Sequence, residues 1–242
     1  MVIDFVPGTL CDERLWYKLL PLLPAGFGAR HVPLYGARTR AQMQELIATH
    51  TAPRAHIVAF SMGAYLALEH ALAHPDRVAS LVLIAASARG LGEEEKERRR
   101  RTMAALETQP FAGMPPSQLR GFVHPPHLHD PSIAGVIHQM ALDLGKETML
   151  AQFEASMERA DLMERLHELR CPVLFVGGEF DQKVPADDLR EMSDRVRQSC
   201  LGYADDSGHM VPLEAPEELA DDLYFFYSSF LEEPVERRTL TG

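Results

Sequence analysis

The rhythm of apolar runs constrains this chain more than any single motif. Short, almost continuously apolar stretches occur at Val2–Val6, Ala55–Phe60, Val78–Ala85 and Val173–Val176. A strand that is apolar along its whole length is buried on both faces, which specifies a parallel sheet covered by helices on each side. Weaker strand signals at Ala29–Leu34 and Cys200–Ala204 bring the sheet to about six strands. Amphipathic stretches fall between them. Helical spacing marks Leu15–Leu23, a segment capped by Thr39 and running to about His50, Ser61–Ala73, about Pro185–Val196, and about Pro216–Leu231, with a polar tail to Gly242.

The alternation breaks once. From Ser87 to about Arg170 no strand-like run occurs. In its place stand a charged helix (Glu93–Leu106), a proline-rich stretch (Pro110–Pro131) and helical patterns at Ile133–Leu144, Glu147–Ala160 and Leu162–Leu169. The expected architecture is α/β: a mostly parallel, doubly wound sheet built from residues 1–86 and 171–242, with residues 87–170 inserted after the fourth strand as a helical cap. Ligands of open parallel sheets bind outside the carboxyl ends of the strands. A cap there would wall the pocket.

Charge and cysteine usage narrow the partners. Lys plus Arg is 24 and Asp plus Glu is 35, a net charge of −11, which argues against nucleic acid and against an anionic membrane surface. No run approaches the roughly 18 apolar residues of a membrane helix, and Met1–Val6 lacks the features of a signal peptide. Cys11, Cys171 and Cys200 form no CxxC pair, zinc spacing or disulfide framework. The expectation is a cytoplasmic protein, monomeric or homodimeric, acting on a small molecule.

Three loops carry the chemistry. Ala59-Phe60-Ser61-Met62-Gly63 follows a buried strand and opens a helix. A serine at such a tight strand-to-helix turn presents its hydroxyl to solvent, and the small flanking residues let backbones pass closely. The alternative is a serine that only caps the helix. Gly177-Gly178-Glu179-Phe180-Asp181 follows a later strand. Strand alternation and the turn favour Asp181 over Glu179 as an acid that could orient a histidine. Asp206-Ser207-Gly208-His209-Met210 follows the last strand. His209 is one of eleven histidines, so the order Ser61…Asp181…His209, each after a strand, carries the inference. A serine hydroxyl is a weak nucleophile. A neutral histidine accepts its proton, and a carboxylate fixes the ring and stabilises the imidazolium.

On these residues the chain resembles the α/β-hydrolase superfamily over nearly its whole length. It is most similar to the small cap-bearing branch of carboxylesterases, enol-lactonases, cofactor-free haloperoxidases and the menaquinone-pathway lyase. Ala59–Gly63 matches the nucleophile elbow, Gly178–Asp181 the acid loop, and Ser207-Gly208-His209-Met210-Val211-Pro212-Leu213-Glu214-Ala215-Pro216 the histidine loop with its Glu-x-Pro turn. The resemblance implies a catalytic triad of Ser61, Asp181 and His209. It also implies an oxyanion hole built from the backbone N–H groups of Met62 and Thr9, with Pro7-Gly8-Thr9-Leu10 standing where the family has His-Gly-x.

Other signals are weaker. Glu93–Arg101 alternates into i,i+4 pairs (Glu94/Arg98, Glu95/Arg99, Glu97/Arg101), as a solvated helix does. His124, His127, His129 and Asp130 lie among prolines without metal-ligand spacing, so no metal is expected. Arg89, His124, Met140 and Met149 are candidate substrate contacts, with packing roles as the alternatives. Trp16 is expected in the core. The resulting expectation is a cofactor-independent serine hydrolase that cleaves an ester, thioester or lactone of a small, partly apolar molecule through an acyl-enzyme on Ser61. The alternatives are a lyase or cofactor-free peroxidase on the same triad, or a non-catalytic small-molecule receptor of the same fold.

Overall fold

A computed structural model describes residues 1–230. Its six strands are β1 (Val2–Val6), β2 (Gly28–His31), β3 (Ala55–Phe60), β4 (Val78–Ile84), β5 (Val173–Gly178) and β6 (Ser199–Ala204). They form one sheet in the order β2-β1-β3-β4-β5-β6, and every neighbouring pair is parallel. The order reverses direction beside β1 and β3, so the crevice at the carboxyl ends of these strands is where a ligand site belongs.

Period-two alternation assigns each strand residue to a face. Ala55, Ile57 and Ala59 of β3 join Leu81, Leu83, Val173 and Phe175 on one side. That side is covered by α1 (Arg40–His50), α2 (Met62–Ala73) and α6 (Ala186–Arg195). Val58, Phe60, Val82, Ile84, Leu174 and Val176 face the other side. There they meet Leu15, Trp16 and Leu19, and Leu219, Leu223, Phe226 and Tyr227 of α7 (Pro216–Phe230). Trp16 is fully buried against Phe5.

Between β4 and β5 lie α3 (Glu93–Thr108), α4 (Pro116–Leu119), a 3-10 turn (Pro125–His129), a π turn (Pro131–Gly135), α5 (Val136–Met157) and a 3-10 segment (Met163–Glu168), with no strand. Leu10, from the loop after β1, packs into this connection against Ala141, Met149 and Phe153. The connection therefore sits over the carboxyl end of β1.

Several local expectations are corrected. Leu15–Leu23 is two short 3-10 turns, Glu13–Trp16 and Leu20–Leu22, instead of a helix; Pro21 cannot donate to an α-helical ladder. β2 ends at His31, because Pro33 has no N–H to continue the ladder and Leu34 starts a 3-10 turn. The two patterns at Ile133–Leu144 and Glu147–Ala160 are one helix, α5, kinked at Gly145 (φ 78°, ψ 176°). Thr39 does cap α1, in a reciprocal box with Gln42. On α3, Glu95 receives both Arg98 and Arg99, while Glu97 pairs with Arg100, so the Glu95/Arg99 pair forms as expected and i,i+3 contacts take the places of Glu94/Arg98 and Glu97/Arg101. Leu231 and the polar tail lie outside the described residues.

Candidate active site

The turn between β3 and α2 holds Ser61 at φ 52°, ψ −117°, a conformation L-residues avoid at a cost of about 1–3 kcal/mol. Its surroundings hold it there. The Ser61 N–H donates to the Ile84 carbonyl at 2.9 Å, and the Tyr65 N–H donates to the Ser61 carbonyl at 3.1 Å. A Cβ at Gly63 would lie 2.2 Å from the Pro7 carbonyl oxygen, and a Cβ at Gly8 would lie 2.8 Å from the Phe60 ring and 3.2 Å from Ser61 Cβ. The elbow and the loop after β1 can approach this closely only with glycine at both positions.

Ser61 makes no capping hydrogen bond with its side chain. Its Oγ lies 2.9 Å from His209 Nε2, and His209 Nδ1 lies 2.9 Å from Asp181 Oδ2. The other Asp181 oxygen accepts the N–H groups of Lys183 (2.7 Å) and Val184 (3.2 Å). Burial alone would push the Asp181 carboxyl up. The His209 charge and hydrogen bond, with the two backbone donors, outweigh it and hold the group below its usual range. An ionised Asp181 assigns the ring proton to Nδ1 and leaves Nε2 free to accept from the serine hydroxyl. Glu179, the rival acid, is exposed, and its backbone N–H pairs with the Ala204 carbonyl.

The histidine loop is clamped from above. The His209 N–H donates to the Phe122 carbonyl at 2.7 Å, and its ring lies between Phe60 and Phe122, with centroids 5.2 and 5.7 Å away. The fully buried Glu214 carboxylate accepts the Met210 N–H (2.9 Å) through one oxygen. Its other oxygen takes the His124 N–H (2.7 Å) and His127 Nδ1 (3.2 Å). Glu214 thus ties the 122–127 segment to the loop that carries His209. The Glu-x-Pro pattern flagged Glu214 in the sequence, but not this role.

Thr9 stands beside the elbow on the loop that Gly8 sets against Ser61. Leu10, next along, has φ 52°, and its N–H donates to Gln152 Oε1 at 2.8 Å. Gln152 is fully buried on α5. Nothing in the sequence marked it, since one glutamine on an amphipathic helix carries no signal.

The substrate-contact candidates separate. Arg89 pairs with Asp188 and Glu191 of α6. His124 stacks on Phe180 at 4.1 Å, and its Nδ1 is buried without a partner. Met140 is fully buried in the cluster that also holds Trp16, Val123 and Ile137. Met149 packs with Leu10 and Phe153 beside the Thr9 loop. Among the described residues no group of three or more His, Cys, Asp or Glu side chains is arranged to hold a metal ion.

Comparison with known proteins follows the same lines. Residues 5–222 match the model of the alpha/beta hydrolase family. The pimeloyl-[acyl-carrier protein] methyl ester esterase of Neisseria meningitidis serogroup A is 29% identical, over 99% of this chain and 80% of that protein. A putative carbamate hydrolase of Caulobacter sp. is 28% identical over 68% of this chain and 62% of the relative. Among solved structures, a thermophilic esterase from Thermogutta terrifontis superposes with a TM-score of 0.81 at 24% identity, covering 95% of this chain and 90% of that one. The enol-lactonase from Burkholderia xenovorans superposes with a TM-score of 0.76 at 19% identity, covering 94% and 91%.

Proposed function

The chain belongs to the alpha/beta hydrolase family, and we propose that within it the protein is a serine hydrolase that cleaves a carboxylic ester of a small, partly apolar acyl group. The observation that carries this reading is the unbroken series from Ser61 Oγ through both nitrogens of His209 to Asp181, 2.9 Å at each step. The names of the relatives, esterases and a carbamate hydrolase, support an ester-like bond as the target, and the methyl ester named for the first of them supports a small leaving alcohol.

Ser61 Oγ attacks the carbonyl carbon while its proton passes to His209 Nε2. Asp181 stabilises the imidazolium. The N–H groups of Met62 and Thr9 hold the oxyanion, each worth roughly 3–4 kcal/mol in the transition state. The imidazolium then protonates the departing alcohol. Water, deprotonated by His209, attacks the acyl-enzyme, and Ser61 is released with the acid. Serine at the elbow, in place of aspartate, favours acyl transfer over alkyl-halide or epoxide chemistry. The β4–β5 connection acts as the cap, and Met149 and Phe153 line the acyl side. Buried free thiols at Cys11 and Cys171 fit a reducing compartment such as the cytoplasm.

The test pairs labelling with turnover. A fluorophosphonate is expected to modify Ser61 under native conditions, and an ester and lactone panel spanning acyl length is expected to be hydrolysed by the wild type but not by Ser61→Ala. No adduct at Ser61 together with no turnover overturns the assignment in favour of a receptor, and equal turnover by Ser61→Ala overturns Ser61 as the nucleophile.

A further inference from the structure

Arg159 is a mostly buried cation that forms no ion pair among the described residues. It lies just past the end of α5, its guanidinium stacked 4.8 Å above the Tyr65 ring. Its Nε is fully buried and has no hydrogen-bond partner. Every other arginine in this neighbourhood is engaged. Arg40, which also approaches the Tyr65 ring, pairs with Glu69. Arg98 and Arg99 share the Glu95 carboxylate, and Arg99 also donates to Ser156 Oγ at 2.7 Å. Burial, then the charge of nearby Arg99, pull the Arg159 guanidinium down to about 10. Lys183 belongs to the same field: burial first, then Arg98, lower it. Its ammonium sits 4.7 Å over the Phe122 ring, the ring that flanks His209.

These cations rest on residues that adjoin the Ser61–His209 pair. Tyr65 is one helical turn beyond Ser61 and hydrogen-bonded to its carbonyl. Arg99 lies 5.0 Å over the ring of Phe153, which packs on Leu10 beside Thr9. Lys183 follows Asp181 and donates its N–H to it. Arg98, Arg99, Arg159 and Lys183 thus gather around Glu95, whose two oxygens are already occupied by Arg98 and Arg99. In a chain of net charge −11, a concentration of positive charge at this one place is a local specialisation, and low-dielectric walls focus its field.

We propose that Arg159, supported by Arg99 and Lys183, is the binding site for an oxyanionic group, carboxylate or phosphonate/phosphate, carried by the substrate away from the scissile ester. The planar guanidinium presents paired donors that match such a group, and an anion at its terminal nitrogens offsets the positive field there. The proposal rests on the hydrolase reading for its substrate, but its binding arm does not depend on turnover. It also replaces Arg89 as the arginine that selects a charged substrate.

The experiment has two arms. In the first, kcat/KM is compared for monomethyl adipate, methyl 5-phosphonopentanoate and the neutral dimethyl adipate, in wild type, Arg159→Met and Arg159→Lys. The wild type is expected to prefer at least one anionic ester over the neutral one by about tenfold or more. The larger preference identifies carboxylate or phosphonate as the group read. Arg159→Met is expected to collapse that ratio toward one, and Arg159→Lys to restore part of it. The control Arg195→Met, whose arginine pairs with Glu164 and Glu191, should leave the ratio as in wild type. In the second arm, calorimetry on Ser61→Ala is expected to detect binding of monomethyl adipate that weakens at least tenfold when Arg159→Met is added, and that falls with salt. Absence of any anionic preference, or a preference and affinity that persist in Arg159→Met, overturns the proposal. Loss of all turnover with binding and its Arg159 dependence intact would instead overturn the hydrolase reading alone.

Discussion

Gln152 Oε1 accepts the Leu10 N–H at 2.8 Å, so one buried side chain of α5 fixes the loop that carries Thr9, the proposed second oxyanion donor. An oxyanion donor acts in the transition state, so disturbing its loop should lower kcat with little change in KM. Gln152→Leu strands the Leu10 N–H. We expect kcat to fall about 10–100-fold, with a stability loss of about 1–3 kcal/mol for the unpaired donor. Gln152→Glu, which keeps an acceptor of the same length, should recover much of the rate. Steady-state kinetics and denaturant melts of both variants check this. A KM effect alone would mean that Gln152 touches substrate instead.

Asp181 is committed on every side, to His209 and to the N–H groups of Lys183 and Val184. Asp181→Asn should leave the fold intact by circular dichroism yet lower kcat by about 10⁴, because the amide no longer stabilises the imidazolium or its orientation. Glu179→Gln, at an exposed position, should change kcat less than about threefold. Equal losses would show that the wrong carboxylate has been assigned.

The two methionines of α5 should respond differently. Met140→Ala opens a cavity in the main core and should cost about 2–5 kcal/mol of stability, with the order of acyl-length preference unchanged. Met149→Ala, beside Leu10, should shift that preference toward longer chains by about 1–3 kcal/mol in discrimination. Melting curves and a homologous ester series separate the outcomes.

Stability should depend on pH through His70. It is buried on α2, its Nε2 has no partner, and burial, then the charges of His74 and Arg77, push it down from 6.5 to about 4. The unfolded chain therefore takes up this proton first. The stabilisation is complete above about 6.5 and is lost as pH falls toward 4, with a slope approaching 1.4 kcal/mol per pH unit. His70→Leu should flatten that limb, read from unfolding free energies at pH 7.5, 6 and 5. An identical slope in the variant would assign the acid sensitivity to other groups.

How much of this was legible in the sequence depended on how completely each residue's surroundings follow from its neighbours in the chain. Ala55–Phe60 is read to the residue, and Val78–Ala85 overshoots by one, because a strand buried on both faces writes its burial as an unbroken apolar run. The loops bearing Ser61 and Asp181 were recognisable because each follows such a strand, whereas the His209 loop follows the half-buried edge strand β6 and was recognisable from its place in the order and its Glu-x-Pro turn. The prolines near Leu15–Leu23 were visible, but apolar spacing alone could not distinguish a helix from two 3-10 turns. Arg89 and Arg159 illustrate the limit. Both are arginines near the ends of elements, and only the folded chain shows Asp188 and Glu191 beside one and an aromatic ring beneath the other. Gln152 was silent for the same reason, since its partner lies 142 residues away.

The break at Gly145 divides α5 by allegiance. Before it, Ile137 and Met140 are foundations set into the main core, and the last turn, with Ala141 and Leu144, already reaches the Leu10 cluster. Residues after it, such as Met149 and Phe153, furnish the wall around Leu10. A left-handed glycine between them acts as an expansion joint. Mutational change can recut the distal half, and with it the packing around Leu10 beside the Thr9 loop, without transmitting torque to the half that anchors the helix. Diversification of substrate in chains built this way would be expected to accumulate beyond the joint and to spare the residues before it.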